Sequence, residues 1–240
     1  MTCRLNRTTL RRTLGVGAAI ALMGGVVPAA WAVPETHSLR EGNDANVADA
    51  GTGGVGDDVL VTIPGNHNKA MGCDADWAPG CEKAALTRDA TGVYSATFSL
   101  PAGDYEYKVA EGGSWDVAFG VGGAAGGANI AYTLKETTQV TFYYNQVTHR
   151  VWNTATDQMV TLPGSLQKAL GCADNWKPEC LAPLMEPVGG GTYTYATSAL
   201  PEGSYEVKVA IGGSWNENYG QDGAAGGANY QFATKANKLV

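Results

Sequence analysis

Apolar and polar residues alternate over short stretches along most of this chain. Residues 105–110 read Tyr-Glu-Tyr-Lys-Val-Ala, and residues 205–210 read Tyr-Glu-Val-Lys-Val-Ala. A period of two predicts β-strands that bury one face and expose an acid and a base on the other. Further strands, separated by Pro and Gly turns, are predicted at Val59–Ile63, Met159–Leu162, Val93–Leu100, Tyr193–Leu200, Asn129–Leu134 and Asn229–Thr234. No helical stripe is visible after residue 58, so the fold class is all-β.

The chain contains an internal repeat. A Cys-Trp-Cys pattern at Cys73, Trp77 and Cys81 recurs 99 positions later at Cys172, Trp176 and Cys180. Residues 99–133 then match residues 199–233 with 20 identities in 35 positions. The repeat predicts two tandem modules, residues 58–153 and 157–240. Short strands in units of this size favour an immunoglobulin-like β-sandwich for each module.

The first module ends with a β-rich stretch, Val140–Asn153, that predicts a terminal hairpin or strand around Asn145 and Gln146. Val240 aligns with Val140, so the second module is expected to lack this element. A missing strand would expose a sheet edge. We therefore expect the front of a longer protein or a truncated product. The alternative is a second module that manages without the strand or borrows one.

Residues 1–32 have the pattern of a signal peptide. Four arginines and no acid precede an apolar run at Leu14–Val27, and small residues follow up to a predicted cleavage after Ala32. The apolar run is too short to favour a membrane span, which needs about 20 apolar residues. The pair Arg11-Arg12 leaves the general and twin-arginine routes both open. The expected location is extracellular, with residues 33–57 as a disordered linker.

The net charge excludes two classes of partner. The whole chain carries −7, and removing four arginines with residues 1–32 leaves −11. Nucleic acids and anionic membranes bind clustered Lys and Arg. We therefore predict neither as a partner.

The repeated cysteines predict two local disulfides, Cys73–Cys81 and Cys172–Cys180. Closing so short a loop contributes roughly 2–3 kcal/mol in the chain-entropy model. Zinc is the rival interpretation, but two thiolates without a recurring His do not complete a tetrahedral site. No metal or cofactor is predicted.

Each predicted disulfide loop contains a tryptophan, and each module has another in a GGSW motif. An indole can stack on the apolar face of a sugar ring while neighbouring amides and carboxylates bind its hydroxyls. Core packing is the alternative role, and it is slightly favoured for Trp115 and Trp215. The candidate carbohydrate-binding residues are Trp77, Trp176, Trp115, Trp215, Asp116, Asn216, Asn129 and Asn229.

No catalytic constellation is visible in these residues. None of the three histidines recurs in the other module. The strand acids Glu106 and Glu206 each lie two residues from a lysine, which predicts a surface ion pair. An enzyme site would also need a deep cleft, for which modules this small leave little room.

The sequence resembles a known family at several repeated motifs. PGNHNKAMGCDADWAPGC and PGSLQKALGCADNWKPEC, each followed by GGSW and GGAN, resemble the X25 modules of bacterial amylases and pullulanases. The resemblance implies non-catalytic immunoglobulin-like modules near the front of secreted α-glucan-degrading enzymes, and it implies no catalytic residue here. The partners it implies are an α-glucan such as starch, pullulan or glycogen and a downstream catalytic domain.

The sequence supports three hypotheses about function. The leading hypothesis is a pair of accessory modules that bind α-glucan through the Trp-bearing loops. The second is a structural spacer that positions a downstream glycoside hydrolase without glycan affinity. The third, and least favoured, is hydrolysis by these residues themselves.

Overall fold

The computed structural model describes residues 59–235 and Val240, together with the backbone of two short strands, β1 (Thr2–Arg4) and β2 (Ala19–Ala21). The rest of the predicted signal peptide and the predicted linker at 33–57 lie outside the described residues. In the described part of the chain we find no helix with the length and hydropathy needed to cross a bilayer.

Module 1 contains nine strands. They are β3 (Val61–Thr62), β4 (Ala85–Arg88), β5 (Val93–Leu100), β6 (Gly103–Tyr107), β7 (Val109–Glu111), β8 (Val117–Phe119), β9 (Ile130–Leu134), β10 (Thr138–Asn145) and β11 (Arg150–Asn153). Seven form one sheet in the order β11, β10, β5, β4, β3, β7, β8, and β6 pairs with β9 in a second layer. Short 3-10 turns lie at Glu82–Ala84 and Val121–Gly123.

Module 2 repeats this plan. Its strands are β12 (Val160–Thr161), β13 (Glu186–Gly189), β14 (Thr192–Thr194), β15 (Gly203–Val207), β16 (Val209–Ile211), β17 (Glu217–Tyr219) and β18 (Tyr230–Thr234). They have the same lengths as their counterparts in module 1, except that β14 has three residues where its counterpart β5 has eight. β15 pairs with β18, as β6 does with β9, and β12, β16 and β17 form a three-stranded sheet. The 3-10 turns are Lys168–Leu170 and Gln221–Gly223.

The predicted all-β fold with two sandwich-like modules is confirmed. In module 1 the two layers enclose an aromatic core, in which Phe142 of β10 contacts Tyr107 of β6 edge to face at 5.1 Å and Tyr132 of β9 at 6.0 Å. Phe142 and Tyr107 are fully buried. Burying one such ring contributes about 1.5–3 kcal/mol, which is why the terminal hairpin belongs to the core rather than to the surface.

Two strand predictions need correction. Residues 105–110 are not one strand, because the chain passes from the second layer to the large sheet at Lys108, whose N–H donates to the Pro64 carbonyl at 2.9 Å. This switch buries Ala110, which the alternation placed on the exposed face. The strand predicted at Tyr193–Leu200 is a strand only at its first two residues, which belong to β14; beyond it, among the described residues, Thr197 forms two backbone hydrogen bonds with Val240.

The edge of β14 has a partner of its own. In module 1, β10 pairs antiparallel with β5 along eight residues. In module 2, β1 pairs antiparallel with β14, with Cys3 opposite Tyr193. β2 then flanks β1, so the order β13, β14, β1, β2 repeats the order β4, β5, β10, β11.

Candidate functional site

Both predicted disulfides are present, and each encloses a tryptophan in an unusual backbone conformation. Cys73–Cys81 and Cys172–Cys180 span Cα distances of 6.0 and 6.1 Å. Trp77 has φ of +58° and Trp176 has φ of +60°. Bulky side chains are rarely found in this left-handed region, and it costs on the order of 1–3 kcal/mol. Because both modules have this left-handed tryptophan, the conformation is a repeated feature of the loop.

A buried side-chain amide holds each loop in this conformation. The Asn68 carbonyl oxygen accepts hydrogen bonds from the N–H groups of Gly65 at 3.0 Å and Ala78 at 3.1 Å. The Asn68 amide group donates to the Ile63 carbonyl at 3.1 Å. Asn68 therefore joins the residue after Trp77 to the turn that follows β3. The Trp77 N–H adds a bond of 2.9 Å to the Gly65 carbonyl.

Gln167 holds the equivalent loop of module 2 in the same way. Its side-chain carbonyl accepts from Lys177 N–H at 2.7 Å and Gly164 N–H at 3.3 Å, and its amide group donates to the Lys177 carbonyl. Asn68 and Gln167 are both fully buried. Their role is not apparent from the repeat, because the repeated position holds Asn in one copy and Gln in the other. Their shared amide chemistry was the available signal.

Each loop tryptophan lies beside the tryptophan of the GGSW turn. The ring centroids of Trp77 and Trp115 are 6.4 Å apart, and those of Trp176 and Trp215 are 6.5 Å apart. Trp115 is 45% exposed and Trp215 is 39% exposed. The interpretation of these two as core residues is therefore wrong. Trp77 and Trp176 are half-buried.

The two glycines of the GGSW turn determine the direction of its tryptophan. Gly112 and Gly113 have φ of +74° and +75°, and their counterparts in module 2 have φ of +69° and +67°. Glycine adopts this region without steric cost, so the turn between β7 and β8 can close tightly here. The turn then projects Trp115 outward beside Trp77 instead of inward.

The polar candidates separate into two groups. Asp116 and Asn216 are exposed in the same turns as Trp115 and Trp215, and the Asp116 carboxylate accepts a hydrogen bond from the Ser114 hydroxyl at 2.9 Å. These residues can offer hydrogen bonds beside the rings.

Asn129 and Asn229 have a different environment. The Asn129 amide donates to Glu106 and the Asn229 amide donates to Glu206, both at 2.9 Å. Glu106 and Glu206 thus accept hydrogen bonds from side-chain amides. Within the described residues, neither acid forms the predicted ion pair with its neighbouring lysine. The same Asn–Glu hydrogen bond is thus present in both modules, and the described contacts do not connect Asn129 or Asn229 with the tryptophan pairs.

What each tryptophan pair can do chemically follows from its shape. The two indole rings of each pair adjoin at a tilt of 38° in module 1 and 33° in module 2, and an exposed carboxylate or amide lies in the same turn as the more exposed ring. Such a surface suits a ligand with an apolar face and polar edges. Within the described residues, no three His, Cys, Asp or Glu side chains gather as metal ligands.

Comparison with known proteins identifies the family. The family model for the pullulanase X25 domain matches residues 60–151 and again residues 159–240. The chain belongs to the pullulanase X25 domain family. The two matched ranges correspond to the two modules of the fold.

Several amylopullulanases contain a similar X25 region. The chain is 35% identical over 179 residues to that of Thermoanaerobacter thermohydrosulfuricus, covering 71% of this chain and 12% of that protein. It is 32% identical over 183 residues to the amylopullulanase of Thermoanaerobacterium thermosulfurigenes, covering 72% and 10%. The enzyme of Thermoanaerobacterium saccharolyticum is 30% identical over 184 residues, covering 73% and 14%.

The match spans only 10–14% of the length of these relatives. The matched part is therefore a non-catalytic X25 region, as the sequence predicts. A solved pullulanase from Bacillus acidopullulyticus is also similar, with a TM-score of 0.38 and 15% identity over 66% of this chain and 28% of that one.

Proposed function

We propose that the two X25 modules bind α-glucan chains through their tryptophan pairs and act as accessory modules of a secreted α-glucan-degrading enzyme. One observation carries the proposal: both modules hold an exposed indole beside a second indole at the same separation, 6.4 and 6.5 Å. The printed names of the relatives, which are amylopullulanases, support the choice of glucan. Starch, pullulan and glycogen are the candidate polymers.

The proposed contact uses three kinds of group. The indole faces would stack on the apolar faces of glucosyl rings, which carry their hydroxyls at the edge. In module 1, Asp116 would accept hydrogen bonds from those hydroxyls, and in module 2 Asn216 would exchange them. Each site is shallow, so we expect weak binding per module and useful affinity only from both together.

The test is affinity electrophoresis of the whole chain through gels with and without soluble pullulan or amylopectin. Trp115→Ala and Trp215→Ala remove the more exposed ring of each pair and should spare the core. We expect each variant to migrate faster than the native protein in the glucan gel, and the double variant to lose retardation. Val117→Ala, an exposed change in the same turn as Trp115, is the matched control. Free migration of the folded native chain would refute glucan binding.

Secretion is part of the same proposal, and the predicted cleavage after Ala32 would remove β1 and β2 from the edge of β14. Its support is the order of basic residues, apolar run and small residues in residues 1–32. Expression of the whole chain with determination of the N-terminal residue in the culture medium tests it. Protein that stays inside the cell with its first residues intact would contradict it.

A structural spacer is the second candidate function, and one observation favours it. The described residues include an ordered junction between the modules, in which the buried carboxylate of Glu186 in module 2 accepts a hydrogen bond from Asn145 of module 1 at 2.6 Å. A spacer would need such a junction but no glycan affinity. The glucan gels separate the two candidates directly.

A further inference from the structure

The backbone N–H groups of the segment that connects the modules are all hydrogen-bonded. All five N–H groups of residues 154–158 have acceptors: the Thr141 carbonyl, the Asn153 side-chain and backbone carbonyls, and the Tyr193 hydroxyl. Asn153 is itself fully buried and donates to the Tyr107 hydroxyl at 3.1 Å. The connection is therefore anchored in the core of module 1 at one end and on Tyr193 of module 2 at the other.

A buried acid joins the modules beside this connection. Glu186 on β13 is 9% exposed, and one of its oxygens accepts from the Asn145 amide and the Thr148 hydroxyl, each at 2.6 Å. Its other oxygen lies 3.5 Å from Arg150 Nε. A buried carboxylate is tolerated when charge and hydrogen bonds surround it, and here every donor comes from the other module. The position aligned 99 residues earlier is Thr87, which faces Ser95 inside its own sheet.

An apolar cluster completes the junction. Tyr143 and Trp152, on the outer face of β10 and β11, stack at 5.6 Å and pack with Leu184 of module 2. All three are at least nine-tenths buried. Met159 and Leu181 lie against the same cluster. The terminal hairpin of module 1 therefore has two buried faces, one in its own core and one against module 2.

We propose that this junction locks the two modules into one rigid body with Glu186 as its positioning residue, so that the two tryptophan pairs keep one fixed separation and orientation. Domains joined by a linker move relative to each other unless a large apolar interface or an ordered connection prevents it. Here a buried apolar cluster and a hydrogen-bonded connection both join the modules. Fixing two weak sites in advance removes the cost of ordering them on binding, and it favours ligands that span both sites over ligands that fill one.

The locking half of the proposal is independent of glucan binding. Spin labels at Val117→Cys and Glu217→Cys, which are exposed and equivalent positions in the two modules, report the distance between them in a Cys3→Ser background. We expect one narrow distance distribution for the native sequence and a broad one for Glu186→Ala. Glu202→Ala, the removal of an exposed acid in module 2, is the matched control and should stay narrow. A broad native distribution, or a Glu186→Ala distribution as narrow as the control, overturns the lock.

The specificity half rests on the proposed function. Affinity for amylopectin should fall roughly tenfold in Glu186→Ala, while affinity for maltotriose, which fills one site, stays unchanged. Glu186→Gln keeps the acceptors for Asn145 and Thr148 and should recover most of the loss. Polymer affinity that does not change in Glu186→Ala overturns the specificity half. If the native chain binds neither ligand, the proposed function fails, and the distance measurement still decides the lock.

Discussion

The core of module 1 contains a histidine whose protonation should limit its stability in acid. His67 is fully buried among Tyr105, Tyr107, Tyr132 and Phe142. Its Nε2 lies 2.9 Å from the Ile63 carbonyl and so donates, and its Nδ1 lies 2.8 Å from the Tyr132 hydroxyl and so accepts. Both nitrogens are satisfied by the neutral ring. Burial, which disfavours the charged form, lowers the pKa of His67 from 6.5 to about 4.

The size of the effect follows from linkage. The pKa of this histidine is lower in the folded state than in the unfolded state, so its neutral form favours folding. The contribution is fully present above pH 6.5 and is lost as the pH falls toward 4. A difference of this size corresponds to about 3 kcal/mol of unfolding free energy at most. Set against a typical domain stability of about 5–15 kcal/mol, that is a large share for one side chain.

His67→Leu is the perturbation, because module 2 already carries a buried leucine, Leu166, at the aligned position. Near neutral pH the variant should be less stable by about 1–3 kcal/mol, since the Tyr132 hydroxyl loses its bond to His67 and the Ile63 carbonyl keeps only its bond from Asn68. Between pH 7 and pH 4 the native protein should lose about 3 kcal/mol more than the variant does. Hydrogen exchange of module 1 peptides, read by mass spectrometry at each pH, measures both proteins while module 2 serves as the internal control. Parallel pH profiles for the two proteins would refute the assignment.

Two further predictions concern the loop that holds Trp77. Asn68→Ala leaves the N–H groups of Gly65 and Ala78 unpaired and should destabilise module 1 by about 2 kcal/mol, measured by urea unfolding, with a parallel loss of retardation in pullulan gels. Retardation at the native level would mean that the amide does not position the ring. Replacing Cys73 and Cys81 together by Ser should cost roughly 2–3 kcal/mol in thermal unfolding, and reducing agent should then have no further effect on module 1. A native melting temperature would contradict the loop-closure argument.

The sequence predicts the elements whose pattern is local and misses those that depend on distant partners. The strand predicted at Val93–Leu100 appears with those bounds as β5, because apolar residues alternate along it and β10 supplies a full-length partner. Tyr193–Leu200 has a similar composition, yet only Thr192–Thr194 is a strand, since among the described residues β1 and β13 pair with it only along these residues and a strand needs a partner as well as a pattern. Nothing within the segment itself carries that information.

At the candidate site, too, the sequence predicts what recurs locally and misses what depends on distant contacts. The repeat located the four tryptophans and both disulfides, because those residues recur at a fixed spacing. It could not decide whether Trp115 faces the core or the solvent, since an indole suits either place. That outcome depends on the positive φ of Gly112 and Gly113, which turn the side chain away from the sheet. The amide of Asn68 was missed for a related reason: its role is defined by contacts with Gly65 and Ala78, not by residue identity.

The backbone of Trp77 and Trp176 connects the stability of the modules with their proposed function. A left-handed tryptophan is strained, and glycine or asparagine at that position would relieve the strain. Both copies nevertheless keep tryptophan, although the following residue is Ala78 in one copy and Lys177 in the other. Core packing does not account for this, because each ring is half-exposed and lies against the exposed Trp115 or Trp215. The disulfide and the buried amide offset the strain, so each loop holds an indole at the surface, as the proposed glucan contact requires.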